Sequence, residues 1–117
     1  MSNESDEQGR DFLMENILIK VELREYWVYM EFSDWRVHVG SEFLLQKDGN
    51  ALGTIQPQER LGDIAPLWRA CGQKVVQCDW GDVPTLTFET GLSLSIPEDG
   101  HPRGEIWSKH HPIVDDF

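Results

Sequence analysis

The chain has 117 residues, 39% of them hydrophobic, which suits one domain around one core and is too short for two independent domains. Its 21 Asp and Glu outnumber its 10 Lys and Arg, and the formal net charge of −11 disfavours direct binding to nucleic acid or to an anionic membrane. No basic or apolar leader follows Met1, and Cys71 and Cys78 match no zinc or redox spacing. We therefore expect a cytoplasmic protein that folds without a metal, cofactor or disulfide.

Domain organisation follows from where the apolar residues begin and end. Residues 1–11 contain one apolar residue and four acids, so we predict a disordered acidic tail there. A single globular domain is predicted over residues 12–108. Residues 109–117 are predicted to form a loose C-terminal tail.

The first predicted unit is a three-stranded β-meander, rich in β-branched and aromatic residues. Its predicted strands are Asn16–Leu23, Trp27–Phe32 and Trp35–Val39. A two-residue loop at Ser33-Asp34 sets the register of the second hairpin. One face of that hairpin is then apolar and forms a core, through the pairs Phe32 and Trp35, Met30 and Val37, and Val28 and Val39. The opposite face carries Trp27, Tyr29, Glu31, Arg36 and His38.

A hairpin and a short helix are predicted to link this meander to the rest of the chain. Phe43–Gln46 and Ala51–Ile55 flank an Asp-Gly dipeptide, which is typical of a tight β-turn. Asp63 is a good N-cap for a helix over residues 63–71, with Pro66 in its first turn. An apolar stripe on that helix is expected to pack on a sheet and to bury its tryptophan. The stripe consists of Ile64, Leu67, Trp68 and Cys71.

A second β-meander is predicted after the helix, with strands Lys74–Trp80, Thr85–Phe88 and Leu92–Ile96. Its core face pairs Phe88 with Leu92 and Leu86 with Leu94, and its solvated face carries Thr85, Thr87, Ser93 and Ser95. A last short strand is predicted at Glu105–Ser108. The expected fold class is α+β, mainly antiparallel β. The apolar positions of the two meanders match at an offset of 56 or 57 residues, which indicates either pseudo-duplication or a chance match of alternating patterns.

Two groups of residues have side chains that could bind a metal or catalyse proton transfer, but their sequence context argues against both roles. His101, His110 and His111 lie near acidic residues, but a segment rich in Pro and Gly does not hold metal ligands in fixed positions. The carboxylate pairs Asp79 with Asp82 and Glu98 with Asp99 lie in or beside turns, where carboxylates are usually solvated. Since no catalytic motif is present either, we expect no enzymatic activity.

The outer face of the first meander is the feature that folding explains least. Its predicted residues are Trp27, Tyr29, Glu31, Arg36 and His38. Either another part of the fold covers this face, or it binds another protein through aromatic anchors and a charged rim. These five residues are the candidate partner-binding site.

Several segments between residues 43 and 107 resemble an uncharacterised family of small bacterial β-rich proteins. They are Phe-Leu-Leu-Gln-Lys-Asp-Gly from Phe43, Pro-Leu-Trp from Pro66, Gly-Gln-Lys-Val-Val from Gly72, Leu-Thr-Phe-Glu-Thr-Gly-Leu-Ser-Leu-Ser-Ile-Pro from Leu86, and Gly-Glu-Ile-Trp from Gly104. The last segment departs from the aromatic-acidic-alanine step that the family tends to have before its tryptophan. The shared elements are structural, so the resemblance implies no catalytic residue. By analogy, small acidic proteins of this kind also resemble immunity proteins of bacterial toxin systems.

The sequence thus favours a non-enzymatic protein-binding module. The leading hypothesis is an immunity-type inhibitor that neutralises a toxin by steric and charge complementarity, with another protein, basic or toxin-like, as its partner. The alternative is a small structural or regulatory protein, potentially a homodimer through the first meander, whose acidity serves solubility.

Overall fold

The computed structural model describes residues 13–24, 26–57, 62–79, 83–97, 104–110 and 114–116; the predicted tail at 1–11 lies outside these ranges. Within them the chain is mostly antiparallel β-structure with one short helix, as predicted. The strands are β1 (Leu18–Arg24), β2 (Trp27–Phe32), β3 (Trp35–Val39), β4 (Phe43–Lys47), β5 (Asn50–Ile55), β6 (Val75–Asp79), β7 (Thr85–Phe88), β8 (Leu92–Ser95), β9 (Gly104–Ser108) and β10 (Val114–Asp116), and the helix is α1 (Ala65–Trp68).

The strands form two five-stranded sheets. The first sheet has the order β1-β2-β3-β9-β10, and the second has the order β6-β7-β8-β4-β5. Each sheet therefore takes three consecutive strands from one half of the chain and a pair of strands from the other half.

The inner faces of both sheets contribute to one hydrophobic core. The rings of Phe32 in β2 and Phe88 in β7 stack at its centre, with their centroids 6.5 Å apart and their planes 7° from parallel. Both side chains are almost fully buried. A single core of this kind is what a chain of this length can form.

The pairing of β2 with β3 follows the register that the sequence predicts. Val28 lies opposite Val39 and Met30 opposite Val37, and all four side chains are buried. The residues between them face outward, with Tyr29 opposite His38 and Glu31 opposite Arg36. Because side chains alternate along a strand, a tight turn and a buried face are enough to determine this register.

The β4–β5 hairpin forms where Asp48-Gly49 predicts a turn. Both turn residues have positive φ, 52° and 84°, as a two-residue hairpin turn requires. The hairpin was predicted to be part of a linker, but it extends the second sheet because β4 pairs with β8. Neighbouring strands supply backbone partners that a linker would lack.

The helix is shorter than the predicted span of 63–71. Its N-cap is Ile64 and not the predicted Asp63, although the Asp63 carboxylate accepts a hydrogen bond from the Ala65 N–H at 3.0 Å, and the helix ends at Trp68. The chain then turns, and the Gly72 N–H bonds to the Leu18 carbonyl of β1 at 2.7 Å. This turn to the edge of β1 replaces further helical hydrogen bonds. No helix of the described residues is long and apolar enough to span a membrane.

The predicted burial of Trp68 and Cys71 is wrong. Trp68 is 49% exposed, and its indole N–H donates to the Val21 carbonyl at 3.0 Å, at the edge of β1. Cys71 is exposed beyond the end of the helix. Leu67 and Ile64 are buried, so only half of the predicted stripe faces the core, because one helical turn cannot keep all four positions on one face.

The segment predicted as a loose C-terminal tail contains β10, which pairs with β9. Lys109, just after β9, also contacts the body of the domain, because its backbone N–H donates to the Asp34 carbonyl at 2.9 Å. The first sheet therefore extends beyond residue 108.

Candidate functional site on the outer face of the first sheet

The structure places all five predicted site residues on the outer face of the first sheet. Alternation along β2 and β3 turns them away from the core, and the registers with β1 and β9 add further neighbours. We call this surface the aromatic face. It consists of Lys20, Glu22, Arg24, Trp27, Tyr29, Glu31, Arg36, His38, Glu105 and Trp107.

Four rings meet at the centre of the aromatic face. The His38 ring centroid lies 5.0 Å from that of Tyr29, 5.4 Å from that of Trp107 and 6.2 Å from that of Trp27. The Tyr29 and His38 rings meet edge to face, a geometry that aromatic pairs favour. His38 is thus the hub of a cluster built from three strands.

The members of this cluster differ in exposure. Tyr29 is only 7% exposed, because the Arg24 guanidinium lies 4.5 Å above its ring and His38 packs at its edge. Trp27 and Trp107 remain 37% and 36% exposed. Residues of the face itself cover Tyr29, whereas the two tryptophans present apolar surface to solvent.

Trp27 has a fixed position because its ring lies on Gly40. A Cβ atom at residue 40 would come within 2.9 to 3.2 Å of three carbons of the indole ring. The absence of a side chain at Gly40 therefore lets the indole lie flat against the backbone just after β3. The ring is held at the surface by the shape of the fold.

Several charged groups of the face form ion pairs, either with one another or with Lys109. Glu22 contacts Lys20 at 2.5 Å and Arg24 at 3.2 Å, and the hydrogen bond from Lys20 holds the pKa of the Glu22 carboxyl below its usual value. Lys109 donates to Glu31 at 2.7 Å, and this bond lowers the pKa of the Glu31 carboxyl. These carboxylates stay ionised, and the ion pairs frame the aromatic cluster.

The surroundings of His38 favour its neutral form. Burial lowers its pKa below the ordinary value of 6.5, and the positive charge of Arg24 lowers it further. Glu105 acts in the opposite direction, but its carboxylate also accepts a hydrogen bond from the Trp107 indole N–H at 2.9 Å. A neutral imidazole can pack among aromatic rings without a charge to desolvate.

The second sheet presents a different outer surface. Its strands β7 and β8 place Thr85, Thr87, Ser93 and Ser95 outward, as predicted, and we call these residues the hydroxyl face. Thr85 and Ser95 lie opposite each other, and their hydroxyl oxygens are 3.3 Å apart. The four residues carry no ring and no charge.

The other histidines and the carboxylate pairs do not come together as a site in the part of the chain that the structure describes. His110 lies 2.9 Å from the Asp34 carboxylate, on exposed surface, while His101 and His111 fall outside the described residues. Asp79 is described, but Asp82, Glu98 and Asp99 are not. Among described residues, no three His, Cys, Asp or Glu side chains are placed to hold a metal ion. Although the residue is exposed, partial desolvation by neighbouring atoms raises the pKa of the Cys71 thiol, which disfavours the reactive thiolate.

Sequence reasoning missed Trp107 and Arg24. Trp107 lies beside β3 because β9 pairs with it, over a separation of about 70 residues that no local pattern reveals. Arg24 had a detectable signal, since a β1–β2 hairpin with a tight turn places it opposite Trp27.

Comparison of the chain with protein-family models, curated proteins and solved structures finds no match in any of the three. The resemblance to small bacterial β-rich proteins and the analogy with immunity proteins therefore stay predictions.

Proposed function

We propose that the chain is a non-enzymatic protein-binding module that docks another protein, of basic character, on the aromatic face. In this proposal Trp27 and Trp107 are the anchors. His38 and the buried Tyr29 hold the two indoles apart and in place. Glu31 and Arg36 form part of the polar rim.

The observation that carries this proposal is the contrast between the two outer faces. Tyr29, Glu31, Arg36 and His38 occupy outward positions on β2 and β3. The corresponding outward positions on β7 and β8 hold the small residues of the hydroxyl face. Since one sheet of this domain forms with threonine and serine there, folding does not require aromatic residues at those positions.

The exposure and charge of the face suit protein recognition. Tryptophan, tyrosine and arginine are the residues that most often dominate binding energy at protein interfaces. Most charged groups on the face already have partners, so a docked protein would leave few buried charges unpaired. Four bases and three acids lie here, if Lys109 is counted, so the excess of acid lies elsewhere in the chain.

This distribution of charged and aromatic residues assigns association and dissociation of the partner to different parts of the chain. The net negative charge of the whole chain would attract a basic partner over a distance and speed its association, whereas the tryptophans would slow its dissociation. An immunity-type inhibitor of a bacterial toxin is the form of this function that we favour. Such an inhibitor would block a basic toxin by steric occlusion and complementary charge, which requires no catalytic group.

A capture experiment from the native host tests the proposal. The full chain is immobilised beside two variants, Trp27→Ala/Trp107→Ala on the aromatic face and Thr87→Ala/Ser93→Ala on the hydroxyl face. We expect the wild type and the hydroxyl-face variant to retain the same protein and the aromatic-face variant to lose it. Equal retention by all three folded proteins would contradict the proposal. A toxin-like domain encoded beside this chain would identify the first partner to test.

We also propose that the two meanders are copies of one β unit. Matched features 56 or 57 residues apart support this. Ile17 and Lys74 bridge each other, and their carbonyls accept equivalent bonds from the Ser33 and Glu89 N–H groups, each at 3.0 Å. The β1–β2 and β6–β7 registers also shift at corresponding positions, between Leu18 and Lys20 and between Val75 and Gln77.

A further inference from the structure

The free edges of the two sheets differ in how they are protected. An unpaired edge strand exposes backbone N–H and C=O groups that can pair with another strand, so proteins usually cover or charge such edges. Among the strands that the structure describes, the edge strands are β1 and β10 in the first sheet and β6 and β5 in the second.

Two of these edges are covered by the chain itself. On β1, the Leu18 carbonyl accepts from the Gly72 N–H, and the Val21 carbonyl accepts from the Trp68 indole. On β6, Val75 exchanges backbone hydrogen bonds with the segment at residues 15 and 16, accepting at 3.0 Å and donating at 2.8 Å. Both edges are therefore partly occupied.

The remaining two edges hold equivalent places in their sheets and differ in length and composition. Strand β10 has three residues, of which Asp115 and Asp116 are acidic. Strand β5 has six residues, none of them charged, and all but the last are exposed. Its protective feature is a bulge: Ala51 and Gly53 lie opposite Gln46 and Leu45, so Leu52 is the extra residue and is 51% exposed. Its far end is also approached by Gly62, where a Cβ would meet the Thr54 carbonyl and Ile55.

We propose that β5 is a self-association edge, at which the β5 of a second copy of this chain pairs antiparallel and joins the two second sheets. When a two-fold axis relates the two strands, each residue of β5 lies opposite a residue of β5 in the other copy. In Asn50–Ile55 that segment is neutral, so no like charges meet. Two copies with a net charge of −11 each repel elsewhere, which makes an uncharged edge the place where they can approach.

Because the two copies repel each other through their net negative charge, self-association should depend on salt concentration. Added salt screens the charges of both copies, so the dimer should strengthen as ionic strength rises. Binding of a basic partner to the aromatic face should weaken under the same change. The two interactions can therefore be distinguished in one set of conditions.

Sedimentation equilibrium of the full chain, over a wide range of protein and salt concentrations, tests the proposal. The wild type should shift from the monomer mass of 13.5 kDa toward twice that value, and more readily at high salt. Leu52→Lys places a charge on the edge of both copies and should weaken self-association by about tenfold or more, since like charges across strands are destabilising. Because Leu52 is the bulged residue, the change disturbs no pair with β4.

Two control variants locate the contact. Leu23→Lys changes a residue that is 55% exposed on β1 and should leave the dimer intact, as should Trp27→Ala/Trp107→Ala. A wild type that stays monomeric at all concentrations and salt strengths would overturn the proposal and leave β5 open to an extended segment of another protein. A dimer that survives Leu52→Lys, or that is lost in the tryptophan variant, would also overturn it. Circular dichroism and thermal melting establish that each variant is folded.

Discussion

The two sheets both bury large apolar side chains on their inner faces and differ on their outer faces. Met30, Phe32 and Val37 are buried in the first sheet just as Leu86, Phe88 and Leu94 are in the second. Outside, rings and charges on the aromatic face contrast with small hydroxyl side chains on the hydroxyl face. The fold constrains the inner residues, whereas the outer residues are free to serve another purpose. This contrast is the reason for placing the proposed binding site on the aromatic face.

The largest expected effect tests the shared core. Phe32→Ala and Phe88→Ala should each lower the free energy of unfolding by about 3–5 kcal/mol, because both rings are buried and stack on each other. Since the rings touch, the double variant should lose less than the sum of the single losses. Urea denaturation measures all three. A near-neutral effect of either single variant would mean that the two sheets do not contribute equally to the core.

A smaller effect should separate the two outer faces. Tyr29→Ala removes a buried ring beneath Arg24 and should cost about 2–3 kcal/mol, whereas Thr87→Ala should change stability by about 0.5 kcal/mol or less. Both are measured by urea denaturation. Equal costs would mean that the hydroxyl face is as tightly packed as the aromatic face, contrary to the structure.

A third test perturbs the aromatic face without removing a ring. Gly40→Ala places a methyl group against the Trp27 indole and should cost about 1–2 kcal/mol, since overpacking forces the ring to move. The environment of His38 should change with it, which proton NMR of the imidazole can report. Unchanged His38 resonances would mean that Trp27 does not depend on Gly40 for its position.

The smallest effect concerns pH. Because the pKa of His38 is lowered in the folded state, the unfolded chain takes up the proton first as the pH falls below 6.5. His38 therefore destabilises the fold progressively from there down to its folded pKa. Glu31, whose pKa is also lowered, contributes stability that is lost only at more acidic pH, below its ordinary value of 4.5. The hydroxyl face has no titrating group.

His38→Gln tests this assignment. Urea midpoints of the wild type and the variant are compared at neutral pH and at several values down to pH 5. The variant should lose less stability over this range, and parallel pH profiles would contradict the assignment.

Local patterns predicted the parts of this structure that depend on neighbouring residues. The turn at Ser33-Asp34 and the alternation around it determine the register of β2 and β3, and thereby the five predicted site residues. The Asp48-Gly49 turn similarly determined the β4–β5 hairpin. Each of these elements is closed by residues a few positions apart, so the sequence contains the whole signal.

The features that the sequence did not reveal depend on distant pairing. Nothing near Trp107 indicates that β9 lies beside β3, and nothing in the β4–β5 hairpin indicates β8 as its neighbour. Trp68 was misplaced for the same reason, since the helix ends where the chain turns to meet β1. Strand order, and with it half of the candidate site, is a property of the assembled domain.

The exchange of strand pairs between the two halves has a consequence for synthesis of the chain. When β1 to β5 have emerged from the ribosome, β3 still lacks β9 and β4 still lacks β8. Neither sheet can close until the second half has been made. Pairing between such distant segments is slow, and folding times of milliseconds to seconds are typical of β-domains with this kind of topology. A nascent or truncated chain would meanwhile expose the unpaired edges of β3 and β4 together, and such edges favour aggregation.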